Sequence, residues 1–269
     1  MTAVDGPTRT DAAPRAGRAF LAVLGRDLFV TGRELPVFLA QVLLQPLFLL
    51  FVFGKILTEI GAANAGYSRL LFPGIIALTT VLTGLQATAL PLVLDFSFSR
   101  EIEDRLLAPL PIMAVAVEKM AFATIRAVVA AAVMFPLGYW ILGSLSIHPD
   151  GVPLLVVTIV VGSVLGSAVG MTLGTFVPPT RINIMFALVL TPLIFTGCTQ
   201  YPWPSLSHLR WFQVLTLVNP LTYVSETMRG AIVPDSPHLQ AAITVPVMLA
   251  ATALFVVLGM IGFRRRAVD

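Results

Sequence analysis

The chain has 269 residues, 57% of them hydrophobic and 12% charged, and the charged share is about half that of an ordinary soluble domain, so water alone cannot be its solvent. The formal net charge of +3 comes from basic residues scattered at the ends of apolar runs rather than gathered on one polar face, which argues against a nucleic-acid-binding footprint. Cys198 is the only cysteine, which excludes an intrachain disulfide and a cysteine metal cage.

Residues 1–17 are polar and irregular and are expected to form a disordered cytoplasmic tail. The first 34 residues carry five arginines and no apolar signal region followed by a cleavage site, so the N-terminus is expected to stay inside. Over 18–35 the pattern becomes amphipathic: at helical spacing Phe20, Leu21, Leu24, Leu28 and Leu35 share one side and Arg18, Arg26 and Arg33 another. That pattern suits a helix lying on the cytoplasmic leaflet, or one packed on a neighbouring protein surface.

Six apolar runs of spanning length follow, at 36–54, 70–94, 120–143, 152–177, 182–198 and 241–263, giving an all-α integral membrane fold over 36–263 with both termini on one side. Lys and Arg set the orientation. With the N-terminus inside, the inner segments hold Arg9, Arg15, Arg18, Arg26, Arg33, Arg100, Arg105, Lys119, Arg126, Arg181, Arg264, Arg265 and Arg266. The outer segments hold Lys55, Arg69, Arg210 and Arg229. The arginines at 264–266 read as a cytoplasmic stop, leaving 264–269 as a cytoplasmic C-terminus.

Two connections are long enough to carry function, one cytoplasmic at 95–119 and one external at 199–240. In the first, Ser99 can cap a short helix whose opening turns hold Glu101, Glu103 and Asp104, where carboxylates favour the positive end of the helix dipole. Ile102, Leu106 and Leu107 form an apolar stripe on it, and Pro109 and Pro111 end it. Such a helix suits docking in a partner's groove, or a turn resting at the headgroups.

The run Arg100, Glu101, Ile102, Glu103, Asp104, Arg105, Leu106, Leu107, Ala108, Pro109, Leu110, Pro111 resembles the cytoplasmic coupling segment of ABC-2 type permeases. The run from Asn219-Pro220-Leu221-Thr222-Tyr223 to Met228-Arg229-Gly230 is similar to that family's motif before the last span. With the six-span plan the resemblance covers nearly the whole chain and points to a type V exporter membrane domain, most similar to the daunorubicin-resistance branch of drug exporters. It implies a dimer with a second permease protomer, identical or related, and two copies of a separate ABC ATPase subunit docked on the coupling segment at 99–111. It also implies export of a hydrophobic or amphipathic substrate, a drug, antibiotic or lipid, across the plasma membrane. ATP and Mg would be held by the partner, with no cofactor or metal bound by this chain. The two lysines, Lys55 and Lys119, lie outside any phosphate-binding G-x-x-x-x-G-K-[ST] loop, consistent with a permease that is not itself an enzyme.

Gly162, Gly166, Gly170 and Gly174 recur every four residues in the fourth run, a small-residue face suited to close helix packing, either as a sliding or pairing surface or as static contact within the bundle. Among the polar residues inside spans are Gln41, Gln45, Thr79, Thr80, Thr83, Gln86, Thr88 and Thr191. Arg126 is the one charge deep in a span, and no carboxylate sits near a midplane, which argues against a proton- or ion-coupled secondary transporter. The external connection carries Tyr201, Trp203, Trp211 and Tyr223 among prolines, the composition of an interfacial aromatic belt. Its apolar pieces are too short to cross. By family resemblance they form a re-entrant cap over 199–232 with the turn at Asn219-Pro220; two helices lying flat at the interface are the alternative. Glu226 and Arg229 would then stand one turn apart and pair. His148, His208 and His238 form no metal-ligand spacing, and no G-x-S-x-G or H-E-x-x-H occurs, so a membrane-embedded enzyme has no motif in its favour.

Overall fold

The computed structural model describes residues 12–64, 66–96, 111–143 and 148–268. Its elements are all helical: α1 (Ala12–Arg33), α2 (Leu35–Leu49), a π-helical stretch (Leu50–Ile56) running into α3 (Leu57–Glu59), and α4 (Tyr67–Leu94). Next come α5 (Ile112–Leu142), α6 (Val152–Phe176), α7 (Ile182–Thr196), α8 (Arg210–Thr216), α9 (Pro220–Ile232) and α10 (Ala241–Val268). Among the described residues five helical segments are long and apolar enough to cross a bilayer, and α7 is a shorter apolar helix. At 15 residues α7 rises about 22 Å, short of the roughly 30 Å of hydrocarbon, so the fifth run makes a helix shorter than the span expected of it.

Other boundaries differ from expectation for local reasons. α1 begins at Ala12, inside the expected tail, and its break from α2 falls at Glu34, just before Leu35-Pro36, where proline tolerates the first helical turn but not the interior. The first span continues past Gly54 to Glu59, because the π-helical stretch keeps the helix going through Lys55. The third starts at Ile112 rather than at 120: Lys119 sits beside Asp95 at 2.5 Å, which lets a charged turn continue the helix. α10 carries Arg264, Arg265 and Arg266 in its last turns, so the helix runs on through the basic cluster to Val268.

α4 is the hub. Its most apolar stretch is 83% buried, against 50% or less for each of the other four long segments. Its core residues Leu71, Phe72, Ile75, Leu78, Val81 and Leu85 pack against α5, α6 and α9, and Phe72 meets Phe135 of α5 edge-on at 5.9 Å. Thr79, Thr80 and Thr88 are buried here, each donating to the carbonyl four residues back at 2.7–2.9 Å, so they are satisfied within α4 and face neighbouring helices. Gln41 and Gln45 of α2 and Thr191 of α7 remain exposed.

The small-residue row of α6 faces α4 and α9 of the same chain. A Cβ at Gly166 would collide with the Val81 backbone, one at Gly170 with that of Leu85, and one at Gly162 with the Val224 side chain at 2.9 Å. At Gly174 the nearest atom, the Ala89 carbonyl oxygen, is 3.1 Å away. α4 reciprocates through Gly84, whose Cβ position lies 2.8 Å from the Ser163 carbonyl oxygen. Of the two uses open to the stripe, static contact inside the protomer is the one it makes here.

Candidate functional site

The densest polar assembly lies at the end of the bundle away from the termini, around α9. Asn219 caps that helix: its Oδ1 accepts from the Leu221 N–H at 2.9 Å, and Pro220 follows at the first helical position. The Asn219 amide also donates to Leu193 O and to Thr196 Oγ1, both at 2.9 Å, tying α9 to the end of α7. Thr222 donates to Thr216 O at 2.6 Å and Ser225 to Gly197 O at 2.6 Å, which closes the turn between α8 and α9 onto the same helix end.

Ten of the 13 residues of α9 are buried, among them Glu226 and Arg229, both fully enclosed. Burying one charge costs several kcal/mol, and the arrangement meets that cost by giving nearly every polar atom a partner. Arg229 Nη1 donates to Glu226 Oε1, Nη2 to Cys198 O at 2.9 Å, and Nε to Leu70 O of α4 at 3.3 Å. Glu226 accepts in addition from the Trp203 N–H at 3.0 Å and the Leu239 N–H at 2.8 Å. One ion pair thus joins five segments: α4, the turn after α7, the Trp203 turn, α9, and the strap leading into α10.

Trp203 does not act as a simple belt residue. Its indole donates to Gln213 O at 3.1 Å and Gln213 Nε2 donates back to Trp203 O at 3.3 Å, locking Trp203–His208 to α8. Tyr223 donates to Leu217 O at 2.8 Å, while Trp211 is 69% exposed and free to meet an interface. Cys198 adopts a left-handed backbone (φ 51), and a Cβ at Gly74 of α4 would overlap the Thr199 carbonyl, so this turn lies directly on the α4 backbone.

The opposite end holds a second set of contacts. Lys119 of α5 pairs with Asp95 at the end of α4. Arg266 of α10 donates to Gly174 O of α6 at 2.7 Å and lies 4.9 Å over the Phe96 ring, which also packs at 5.5 Å on Phe263. Further into α5, Arg126 stacks on Phe38 of α2 at 3.9 Å and on Phe122 at 5.5 Å. The expected coupling residues Arg100, Glu101, Ile102, Glu103, Asp104, Arg105, Leu106 and Leu107 lie outside the described residues. The structure describes what flanks them: Asp95 and Phe96 on one side, Pro111 and α5 on the other.

Sequence reading located Asn219, Pro220, Glu226 and Arg229 but missed their carbonyl partners at Leu70, Cys198 and Leu193, because backbone acceptors leave no residue-type signal. It also missed Gln213, whose pairing with Trp203 needs the turn between them. His148, His208 and His238 do not converge, and no metal-ligand cluster occurs among the described residues.

A bundle of long apolar helices with a buried, polar-riveted cap at one end defines a multi-pass membrane protein. The family model for the ABC-2 type transporter matches residues 18–233, and the chain belongs to that family. Membership suggests the permease subunit of an ABC exporter, in a family whose members are normally non-enzymatic transport subunits, and implies pairing with an ABC ATPase subunit. A search of curated proteins gave no match.

Proposed function

We propose that the chain is the permease subunit of an exporter that moves a hydrophobic or amphipathic substrate, a drug, antibiotic or lipid, outward across the plasma membrane, driven by two copies of a separate ATPase subunit. The family match over 18–233 carries this reading. The coupling-like run at 99–111 supports it, lying between α4, the hub, and α5, which packs on it. ATP and Mg are bound by the ATPase, no cofactor by this chain, and both termini lie in the cytoplasm. The drug-export branch is the branch we favour, on the similarity of the coupling run and the Asn219 to Gly230 motif.

The mechanism follows from which helices are bound tightly and which are not. ATPase closure pushes on the coupling run, and α4 moves with α6 as one block, because their backbones interlock at Gly166 and Gly170 with no side chain between them to slide; α9 follows through Val224, which packs on Gly162. α2 and α7 are less encased. Ile184, Leu188 and Phe195 of α7 are 71%, 67% and 58% exposed, and Gln41, Gln45 and Thr191 on the same two helices are exposed amid apolar neighbours. Exposed amides facing hydrocarbon are costly, so in this proposal these faces meet a second protomer and the substrate path. The α9 assembly, packed against α4 and α6, serves in this proposal as the external cap of that path.

The test is co-purification with an ABC ATPase encoded beside this chain, followed by vanadate-sensitive ATP hydrolysis and vesicle export assays. A stable complex that falls apart or uncouples on charge reversal at Asp104 and Arg105 supports the reading. Stable association with no ATPase, or export indifferent to that reversal, overturns it.

A further inference from the structure

A cavity of about 820 Å³ opens at the end of the bundle away from the termini, where the π-helical stretch and α3, the start of α4, the end of α5 and the residues after α9 meet. The size is that of an ordinary small-ligand site. Its lining carries two cations, Lys55 and Arg69, and two carboxylates, Glu59 and Asp235, drawn from three separate segments, with Ser68 and Trp140 beside them. Among the described residues none of the four charged side chains has a hydrogen-bonded or ion-paired partner.

Three features narrow the occupant. The first is depth: α2 through α3, α4 and α5 are all of spanning length, so their ends stand at the bilayer interface, and Trp140 and its neighbour Tyr139 are 81% and 60% exposed there. The second is the wall itself. The seven-residue π-helix Leu50–Ile56 widens the backbone just where it presents Lys55, and such departures from α geometry are frequent at functional sites. The third is charge. An anion would satisfy Lys55 and Arg69 but face two carboxylates, and a metal cation would face the reverse.

A group carrying both signs complements the charges of all four side chains, with an apolar body left in the adjoining lipid. We propose that this cavity binds the zwitterionic headgroup of a phospholipid, the phosphate toward Lys55 and Arg69 and the ammonium toward Glu59 and Asp235. The assignment does not depend on the export reading and holds whichever leaflet this end faces.

The protein purified in mild detergent is offered dihexanoyl phosphatidylethanolamine, dihexanoyl phosphatidylglycerol or inorganic phosphate, with retention read by native mass spectrometry and thermal shift. Phosphatidylethanolamine is expected to bind at least about tenfold more tightly than phosphatidylglycerol. Both Lys55→Gln/Arg69→Gln and Glu59→Gln/Asp235→Asn are expected to remove that binding, whereas Arg264→Gln at the other end leaves it intact. Monodisperse gel filtration checks that each variant folds, and the corresponding single substitutions replace a double that fails. Equal binding of the two lipids, binding indifferent to the carboxylate pair, binding of free phosphate as tight as lipid, or no retention at all would each overturn the proposal.

Discussion

The Arg229 guanidinium donates to the Glu226 carboxylate one turn earlier on α9, and neither side chain is exposed to solvent. Because the pair also takes up Leu70 O, Cys198 O and the N–H groups of Trp203 and Leu239, removing one partner strands a buried charge and several backbone groups together. Arg229→Met and Glu226→Gln are each expected to destabilise by about 3–5 kcal/mol, the first leaving a buried carboxylate and the second a buried guanidinium that cannot lose its charge. Thermal unfolding in detergent checks both losses. Arg229→Met unfolding at the wild-type temperature would show that the pair does not hold the cap.

The contact between α4 and α6 makes a graded prediction. Gly166→Ala and Gly170→Ala place a Cβ against backbone that cannot rotate away, and each is expected to cost about 1–3 kcal/mol. Gly174→Ala meets its nearest atom at 3.1 Å and should cost less. Gly25→Ala in α1, with nothing within 4 Å, should be neutral or stabilising by up to about 1 kcal/mol through helix propensity alone. Equal melting temperatures across the four variants would contradict the interlock.

Cys198 predicts protection from thiol reagents. Its side chain is fully buried, in a turn that lies on the α4 backbone at Gly74, so reagent reaches it only when that turn opens. Maleimide labelling of the folded protein is expected to be far slower than that of a free thiol. Denaturation in dodecyl sulfate should restore ordinary labelling. Fast labelling of the native protein at pH 7 would mean that the turn carrying Cys198 opens.

Long apolar runs reported the main helices because periodicity and length depend on residue type alone, and Asn219-Pro220 reported the start of α9 because a cap and a first-turn proline are local chemistry. Boundaries set by tertiary contact were not visible in the sequence. The third span runs through Lys119 instead of starting after it because that charge finds Asp95 at the end of α4, and the first runs to Glu59 because a π-helix carries Lys55. Gly162 to Gly174 announced a close approach but not its partner, which only the placement of Val81, Leu85 and Val224 reveals. The same holds for Trp203, whose composition suggested a lipid belt while its indole bonds to Gln213.

Lys119 and Asp95 flank the proposed coupling run, one on α5 and one at the end of α4, and hold these helices at 2.5 Å with both side chains nearly buried. If the run transmits force, this pair is the first rigid joint it meets, and weakening it should separate ATP hydrolysis from export before it unfolds the bundle. Lys119→Gln or Asp95→Asn is therefore expected to lower export severalfold while the ATPase subunit stays bound and active, with a stability loss of about 1–3 kcal/mol. The exchange Asp95→Lys/Lys119→Asp should recover part of the loss, because it restores the attraction between α4 and α5 with the signs reversed. Export and hydrolysis measured in the same vesicles distinguish the cases. Single variants that transport at the wild-type rate would place the joint elsewhere, with the Arg266 contact to Gly174 and Phe96 the next to be tested.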